Sequence, residues 1–303
     1  MIAVTGGTGF VGQRVLALSD VPVSALARKI QPERDSIEWI AGDLGSAAAL
    51  SRLCEGADAV LHIAGVVNSR DAAGFTTGNV EGTAAALAAA QAAGVRRFVH
   101  VSSLAAREPG LSNYGASKAV AETLVTASKL DWVIVRPPAV YGPGDREMLD
   151  LYRLAAWGLA VAPGPASARI SIIHVDDLAR ALLALTIGGP TGQVLEIDDG
   201  RGNVGGYSHA EFGRAIGAAM GRAPLVVPVP GTVLRLAAGV ATLAARIGGG
   251  GPTLSRDRAR YIAHPDWVAR GGNVALASLW APRFDAAAGI ADTVAGYRAQ
   301  GLL

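Results

Sequence analysis

The segment MIAVTGGTGFVGQRV, residues 1–15, decides the fold of this chain. A short apolar run at 2–6 indicates a β-strand, and the run that closes the segment has the pattern of a helix. Between them Gly6, Gly9 and Gly12 stand in a G-x-x-G-x-x-G spacing. Glycine lets the backbone turn through positive φ and approach a ligand closely. A helix N-terminus offers unpaired N–H groups and the positive end of its dipole to a phosphate. This order predicts a pyrophosphate-binding loop; a structural turn without a ligand is the alternative.

Strand-like runs alternate with Ala/Leu-rich helical runs through the first two thirds of the chain. The runs that indicate strands are 2–6, 23–27, 37–42, 59–65, 97–103 and 131–138. Helical runs at 82–94 and 117–128 separate some of them, and residues 194–199 are expected to add an edge strand. Strands this apolar, joined by helices, predict an α/β fold with a doubly wound parallel sheet covered on both faces, a Rossmann fold.

The pattern changes after about residue 200. A proline-punctuated strand at 225–230 and a very apolar helix at 232–247 predict a smaller C-terminal substrate lobe. We therefore expect a dinucleotide-binding Rossmann domain at 1–200 and a substrate-binding lobe at 201–303, with some segments after residue 140 contributing to the substrate cleft. The apolar helix is short for a bilayer span, so we expect it to pack on the lobe or in a subunit interface, and we expect no membrane partner.

Composition narrows the classes of function. The 303 residues are 50% hydrophobic and 17% charged, which provides a large core and argues against disorder. The 27 basic and 25 acidic side chains nearly balance, which argues against a nucleic-acid partner. One cysteine, Cys54, and five scattered histidines argue against a metal site. No basic segment precedes an apolar signal core, so we expect an unprocessed cytoplasmic protein.

The end of the second predicted strand bears on the choice of coenzyme. An acidic residue there would bind the adenosine ribose of NAD, whereas the sequence has Arg28 and Lys29. A cation suits the 2′-phosphate of NADP, so NADP is favoured over NAD; alternatively Arg28 stacks on adenine or is solvated. Asp43, after the third strand, is expected either to accept a hydrogen bond from the adenine amino group or to cap the next helix.

A Tyr114-x-x-x-Lys118 spacing carries the predicted chemistry. Residues four apart share one face of a helix, and an ammonium beside a phenol lowers the phenol pKa from about 10 toward neutrality. Tyr114 would then be a general acid or base. Ser102 and Ser103 end the preceding strand, where a hydroxyl can polarise a carbonyl group. Asn79 is expected to begin the preceding helix and to hold it open or anchor a water relay to Lys118.

Several motifs together make the chain similar to a known family. They are TGGTGFVG, GDL, NVEGT, VSS, YGASK, RPPAVYGPGD and IHVDDLARA. On these the chain resembles the short-chain dehydrogenase/reductases, in particular the extended branch that is NAD-dependent epimerase/dehydratase-like, with some likeness to 3β-hydroxysteroid dehydrogenases. The resemblance implies a catalytic set of Ser103, Tyr114 and Lys118, assisted by Asn79. It also implies that the dinucleotide is lined by Gly6, Gly9, Phe10, Val11, Gly12, Arg28, Asp43, Leu44, Ala64, Gly65, Tyr114, Lys118 and Pro137.

Three functions remain open on the sequence. The first is an NAD(P)-dependent oxidoreductase that interconverts a secondary alcohol and a ketone by hydride transfer. The second is an NAD-dependent sugar-nucleotide epimerase, and the third is a non-catalytic cofactor-binding structural or assembly protein, against which the complete Ser–Tyr–Lys set argues. Sugar-nucleotide dehydratases carry an Asp–Glu pair where this chain has Leu104–Ala105–Ala106, which argues against 4,6-dehydration. A small-molecule substrate is expected, and relatives suggest a homodimer through helices 82–94 and 117–128.

Overall fold

The computed structural model describes residues 1–248 and 255–303. Its strands are β1 (Ile2–Thr5), β2 (Val23–Ala27), β3 (Ile37–Ala41), β4 (Ala59–His62), β5 (Arg97–Val101), β6 (Asp131–Arg136), β7 (Ala139–Tyr141), β8 (Leu159–Pro163), β9 (Arg169–Ile170), β10 (Ile172–His174), β11 (Gln193–Glu196), β12 (Leu225–Val229) and β13 (Asp266–Trp267). Its α-helices are α1 (Phe10–Leu18), α2 (Ala47–Cys54), α3 (Ala72–Phe75), α4 (Gly82–Ala92), α5 (Asn113–Thr126), α6 (Leu149–Ala156), α7 (Val175–Ile187), α8 (His209–Ala219), α9 (Gly231–Gly248), α10 (Arg256–Ile262), α11 (Gly272–Leu276) and α12 (Ala286–Ala299). A π-helical segment, Thr76–Glu81, joins α3 to α4, and 3₁₀ turns lie at Leu104–Arg107, Pro109–Leu111 and Arg201–Val204.

The chain divides into two compact units that are not contiguous in sequence. The first unit comprises Met1–Pro137, Asp176–Glu196 and Gly271–Ala281. The second unit comprises Pro138–Val175, Ile197–Arg270 and Pro282–Leu303. The functional division into a coenzyme domain at 1–200 and a substrate lobe at 201–303 stays a prediction, because compactness does not test which part binds the substrate.

The first unit contains the predicted parallel sheet. In the described part of the chain seven strands pair in the order β11-β6-β5-β4-β1-β2-β3, and every neighbouring pair is parallel. The prediction of a doubly wound α/β fold is confirmed, and residues 193–196 form the expected edge strand. The order of the strands reverses between β1 and β4, and in open α/β sheets ligands bind outside the carboxyl ends of the strands at such a switch point.

The apolar strands are buried because helices cover both faces of this sheet. All residues of β1, β2, β4 and β5 are buried, without the polar alternation of a half-exposed strand. On one face Phe98 and Ile134 pack with Leu50, Leu53 and Leu87 from α2 and α4. This rigid layer fixes the loops at the carboxyl edge. The homodimer expected through the helical runs at 82–94 and 117–128 stays a prediction.

Within the described residues the second unit contains three short parallel strand pairs, β7–β10, β8–β12 and β9–β13. The strand predicted at 225–230 is β12, and the apolar helix predicted at 232–247 is α9. A capping box of Ser208 and Glu211 starts α8. Tyr141, Tyr152 and Tyr297 are fully buried in this unit. Across residues 1–248 and 255–303, every helix falls short of the length and apolarity that a bilayer crossing needs.

Candidate active site

The glycine loop between β1 and α1 is closed too tightly for side chains. Gly6 has φ of +77°, and the Gly9 amide donates to the Gly6 carbonyl oxygen at 3.0 Å. A Cβ on Gly6 would lie 2.6 Å from the backbone nitrogen of Ala64, and one on Gly12 would lie 2.1 Å from the Gly6 carbonyl oxygen. The glycines at these two positions therefore let β1, α1 and the segment after β4 approach one another.

The start of α1 suits an anion. Gly9 is the N-cap residue, and no side chain accepts a hydrogen bond from the first turn. The first N–H groups of a helix have no hydrogen-bond partner within the helix. Those of Phe10, Val11 and Gly12 can therefore donate to a ligand at the N-terminus of α1. Together with the helix dipole they form a place for a phosphate, which fits the pyrophosphate of a dinucleotide.

The residues predicted to bind the adenosine half of the coenzyme follow β2 and β3. Arg28 is exposed immediately after β2. Asp43 is exposed after β3, where its Oδ1 accepts the Gly45 amide at 2.9 Å. The alternative in which Asp43 caps the next helix is wrong, because Ser46 caps α2. The neighbouring Leu44 side chain contacts α4.

Gly65, after β4, lies beside two polar side chains. A Cβ on Gly65 would lie 3.0 Å from Oδ1 of Asn79 and 3.7 Å from Nζ of Lys118. The preceding Ala64 amide donates to Oγ1 of Thr5 at 3.3 Å, which fixes this segment against β1. The backbone at 64–65 is thus held against the glycine loop on one side and faces Asn79 and Lys118 on the other.

Asn79 lies inside the π-helical segment rather than at the start of a helix, so that part of the prediction is wrong. Its Oδ1 accepts the Val66 amide at 2.6 Å, and its Nδ2 donates to the Val66 carbonyl oxygen at 3.0 Å and to Oγ of Ser117 at 2.8 Å. The side chain therefore ties the loop after β4 to α5. π-helical turns occur frequently at functional sites, but no local sequence signal announces one here.

Close packing at the start of α5 places Tyr114 at Ser103. Ser112 caps α5 by accepting the Gly115 amide at 3.0 Å. A Cβ on Gly115 would lie 2.6 Å from the carbonyl oxygen of Ala105, so this glycine lets the helix approach the turn that follows β5. The Ser103 side chain hydrogen-bonds to the Tyr114 phenol. The predicted pair is therefore in contact.

The protonation of Tyr114 differs from the expectation. Burial raises the pKa of the Tyr114 phenol, and the hydrogen bond with Ser103 offsets only part of that rise. The lowered pKa expected from the sequence is therefore wrong, because desolvation of the phenolate outweighs the effect of the Ser103 hydrogen bond. How deeply a side chain is buried is a tertiary property that a spacing of four residues does not reveal. The phenol therefore stays protonated at neutral pH.

Lys118 lies one turn further along α5, and its side chain is buried. Nζ donates to the Val101 carbonyl oxygen at 2.7 Å, which brings the ammonium to the end of β5. Burial lowers the pKa of Lys118 to about 8, although the negative charge of Glu122 acts in the opposite direction. An amine with this pKa can carry or release a proton close to neutral pH.

A charged network around Glu122 adjoins this site and is not predicted by the sequence patterns. Glu122, one turn after Lys118, is buried; it accepts the Ser102 hydroxyl at 2.5 Å and binds the guanidinium of Arg136 at 2.6 and 2.8 Å. Glu196 bridges Arg136 at 3.5 Å and Arg107 at 3.2 Å. These residues connect α5 with the ends of β5, β6 and β11. The one sequence pattern that indicates part of this network is the four-residue spacing of Lys118 and Glu122.

Two buried histidines, His62 in β4 and His100 in β5, lie near Lys118. The rings of His62 and His100 stack at 5.4 Å. Hydrogen bonds join His62 to Thr5 at 2.7 Å and to Thr83 at 3.0 Å. Burial, followed by the Lys118 charge, lowers the pKa of His62 to about 3 and that of His100 well below its ordinary value. Both rings are therefore neutral and add no positive charge near Lys118.

The predicted site residues all belong to the first unit and follow its strands at one edge of the sheet. The glycine loop follows β1, Arg28 follows β2, and Asp43 follows β3. Ser103 follows β5, and the buried Pro137 follows β6, where its carbonyl oxygen accepts the Leu104 amide at 3.1 Å. The structure brings Ser103, Tyr114, Lys118 and Asn79 into one neighbourhood; their catalytic and coenzyme-binding roles stay predictions.

Known proteins are similar to this chain in sequence and in architecture. The sequence profile of the NAD dependent epimerase/dehydratase family matches residues 2–197. A ceramide reductase from Caulobacter vibrioides is 37% identical over 310 residues, which covers 100% of this chain and 96% of that protein. A UDP-glucose 4-epimerase from Vibrio cholerae is 27% identical and covers 76% of this chain and 78% of its own. The structure of MoeE5 in complex with UDP-glucuronic acid and NAD has a TM-score of 0.74 and 23% identity, with 99% of each chain covered.

These matches decide between the broad alternatives. The relatives are named as enzymes, so the reading as a non-catalytic structural protein is set aside. The match to the family profile spans the glycine loop, the Ser–Tyr–Lys set and every strand of the seven-stranded sheet. The chain is an enzyme that belongs to the NAD dependent epimerase/dehydratase family.

Proposed function

We propose that the protein is an NAD(P)H-dependent carbonyl reductase in which Ser103, Tyr114 and Lys118 act on the substrate oxygen. The observation that carries this proposal is the buried Tyr114 phenol beside Ser103, with the Lys118 ammonium held at the end of β5. Burial raises the pKa of Tyr114, so its hydroxyl keeps its proton at neutral pH. Reduction of a ketone needs a proton donor at the oxygen, whereas oxidation of an alcohol needs a base there.

The chain's own groups can perform the proton transfer. The Ser103 and Tyr114 hydroxyls lie together, so both can donate hydrogen bonds to one carbonyl oxygen and polarise it. A reduced dinucleotide, with its diphosphate held by the glycine loop, would supply the hydride to the carbonyl carbon. Tyr114 then gives its proton to the oxygen, and the C=O group becomes CH–OH. The resulting phenolate lies on the same helical face as the Lys118 ammonium.

Lys118 and Asn79 support that step in different ways. The pKa of Lys118, about 8, lets its ammonium return a proton to the phenolate near neutral pH. Asn79 acts as a positioning residue, because all its side-chain hydrogen bonds join Val66 to Ser117 on α5. It holds the loop at Gly65 beside the Lys118 ammonium.

We propose NADP as the preferred coenzyme. The glycine loop fits the diphosphate common to both dinucleotides, so the choice depends on the end of β2. Arg28 is exposed there and can meet a 2′-phosphate. Asp43, the predicted carboxylate after β3, accepts the Gly45 amide of its own turn.

We propose a lipid ketone as the substrate. The ceramide reductase relative is more similar than the sugar-nucleotide epimerase and matches over nearly the full length of both chains. The substrate class that this supports is the keto form of an N-acylated long-chain amino alcohol. We assign its recognition to the C-terminal lobe, residues 201–303, as the apolar composition of 225–247 suggests.

The experiment measures net coenzyme consumption. The protein is mixed with NADPH or NADH and a keto-sphingolipid, with UDP-glucose as the comparison substrate. We expect nicotinamide absorbance to fall in step with formation of the lipid alcohol, faster with NADPH. Interconversion of UDP-sugars with no net change in absorbance would refute the reductase and favour the epimerase. Absence of a lipid alcohol product would refute the proposed substrate class.

A further inference from the structure

We propose that α9 and α10 of the second unit form a docking surface for an anionic lipid bilayer, on which the protein lies without crossing it. This surface is separate from the reduction chemistry proposed above. It does not rest on that proposal, because adsorption to a bilayer is measured without turnover.

The first observation is an apolar stripe that faces solvent. Val233, Leu236 and Val240 follow an i, i+3, i+7 spacing, which places them on one face of α9. Their exposed fractions are 49%, 73% and 70%. Within residues 231–241 the buried side chain is the small one of Ala238. An ordinary surface helix turns its large apolar residues to the core, so this orientation marks an interaction face.

The second observation is a cationic groove next to that stripe. Helix α10 packs against α9, and a groove of about 650 Å³ lies along them. It is lined by Thr232, Arg235, Leu236, Arg256, Asp257 and Arg260. Asp257 binds Arg260 at 2.9 Å. Within the described residues, Arg235 and Arg256 form no ion pair, so the groove presents uncompensated positive charge.

An anionic bilayer matches both features at once. Helices that lie in the membrane interface insert an apolar face into the acyl boundary and keep basic side chains at the headgroups. Leu236 belongs to both the stripe and the groove, so the apolar and cationic parts of the surface meet at this residue. Arginine binds phosphate oxygens through paired N–H groups, and anionic lipids attract basic residues close to the surface.

A second copy of the chain fits this surface less well. A two-fold symmetric interface places the same patch of each subunit against the other. The arginines of the groove would then face one another with Asp257 as the only carboxylate among the lining residues, and that carboxylate already binds Arg260. A soluble phosphate compound would use the arginines but would leave Val233 and Val240 in water.

The experiment is cosedimentation of the full chain with vesicles, in the absence of coenzyme and substrate. Vesicles of phosphatidylglycerol and phosphatidylcholine are compared with phosphatidylcholine alone. We expect binding to the anionic vesicles and weaker binding as salt is added, because ions screen the attraction. Val240→Glu should reduce partitioning at least about tenfold, and Arg256→Gln about fivefold.

Val274→Glu is the matched control. Val274 lies on α11 in the first unit and has the same exposed fraction as Val240, 70%. It should leave vesicle binding unchanged, and circular dichroism should show that each variant is folded. Failure of the wild-type chain to sediment with anionic vesicles would overturn the proposal, as would equal losses in Val240→Glu and Val274→Glu.

Light scattering provides the last arm of the test. A dimer that Val240→Glu converts to a monomer, without vesicle binding by either form, would assign the surface to a second copy and overturn the bilayer. A protein that sediments with vesicles but reduces no lipid ketone would refute the proposed function and leave the docking surface supported.

Discussion

Replacing Glu122 by glutamine removes one negative charge beside Lys118 while nearly preserving the shape of the side chain. Glu122 is buried one helical turn from Lys118, and its charge raises the lysine pKa against the larger effect of burial. Without that charge, the pKa of Lys118 must fall below its present value of about 8. The ammonium would then lose its proton closer to neutral pH.

The size of the shift follows from the geometry of the helix. Unit charges about 6 Å apart at an effective dielectric constant of about 20 interact by about 2.8 kcal/mol, or about two pKa units. Arg136 binds both carboxylate oxygens of Glu122, so its positive charge offsets part of that effect. We expect a net fall of about one unit, to a Lys118 pKa of about 7.

The assay is the pH dependence of kcat/KM, which reports groups of the free enzyme. If the Lys118 ammonium supplies the proton that restores Tyr114, activity falls as pH rises through the lysine pKa. That falling limb should move from about pH 8 in the wild type to about pH 7 in Glu122→Gln. The substitution also leaves Arg136 without its main partner, which should cost about 3 kcal/mol of unfolding free energy.

Two further variants keep this test decisive. Glu38→Gln makes the same charge change in an exposed ion pair with Arg52 and should leave the limb in place. The double variant Glu122→Gln/Arg136→Gln removes both charges and provides the pH profile if the single variant unfolds. A folded Glu122→Gln protein with the wild-type limb would refute the role assigned to Glu122.

Three other outcomes follow from the coenzyme loop and the buried lysine. Arg28→Gln should weaken NADPH binding about tenfold and leave NADH binding unchanged, with Lys29→Gln as the control, both measured by nicotinamide fluorescence; equal effects on the two coenzymes would contradict the role of Arg28. Gly12→Ala should abolish coenzyme binding, because its Cβ would lie 2.1 Å from a backbone oxygen of the loop, whereas Gly110→Ala, which meets no atom within 4 Å, should bind normally. Lys118→Met should be inactive yet more stable at pH 7 by about 1–3 kcal/mol in denaturant unfolding, since the buried ammonium has its pKa lowered from 10.5 to about 8. The unfolded wild type binds more protons between those pH values, so wild-type stability rises with pH there; a similar rise in Lys118→Met would contradict the assignment.

The sequence predicts those parts of the structure that local patterns control. Apolar runs predict the strands of the sheet, and the spacing of Gly6, Gly9 and Gly12 predicts the tight loop between β1 and α1. The four-residue spacing of Tyr114 and Lys118 places them on one face of α5. Each of these patterns depends on periods of a few residues, which secondary structure fixes by itself.

The features that the sequence does not predict depend on distant contacts. The network around Glu122 joins Ser102, Arg136 and Glu196, which are brought together only when the sheet forms. The raised pKa of Tyr114 reflects burial by the whole unit, a property absent from its neighbours in sequence. The return of 176–196 and 271–281 to the first unit likewise has no local signal.

We propose that the Tyr114 phenol donates the proton that completes carbonyl reduction. The most direct measurement compares Tyr114→Phe with the wild type for lipid-ketone reduction and, in parallel, for NADPH affinity. Tyr297→Phe is the matched control, because its buried hydroxyl has no hydrogen-bond partner in the described chain. We predict that Tyr114→Phe binds NADPH as the wild type does but reduces the ketone about 10²–10⁴-fold more slowly, with Tyr297→Phe unaffected; turnover by Tyr114→Phe at the wild-type rate would contradict the account.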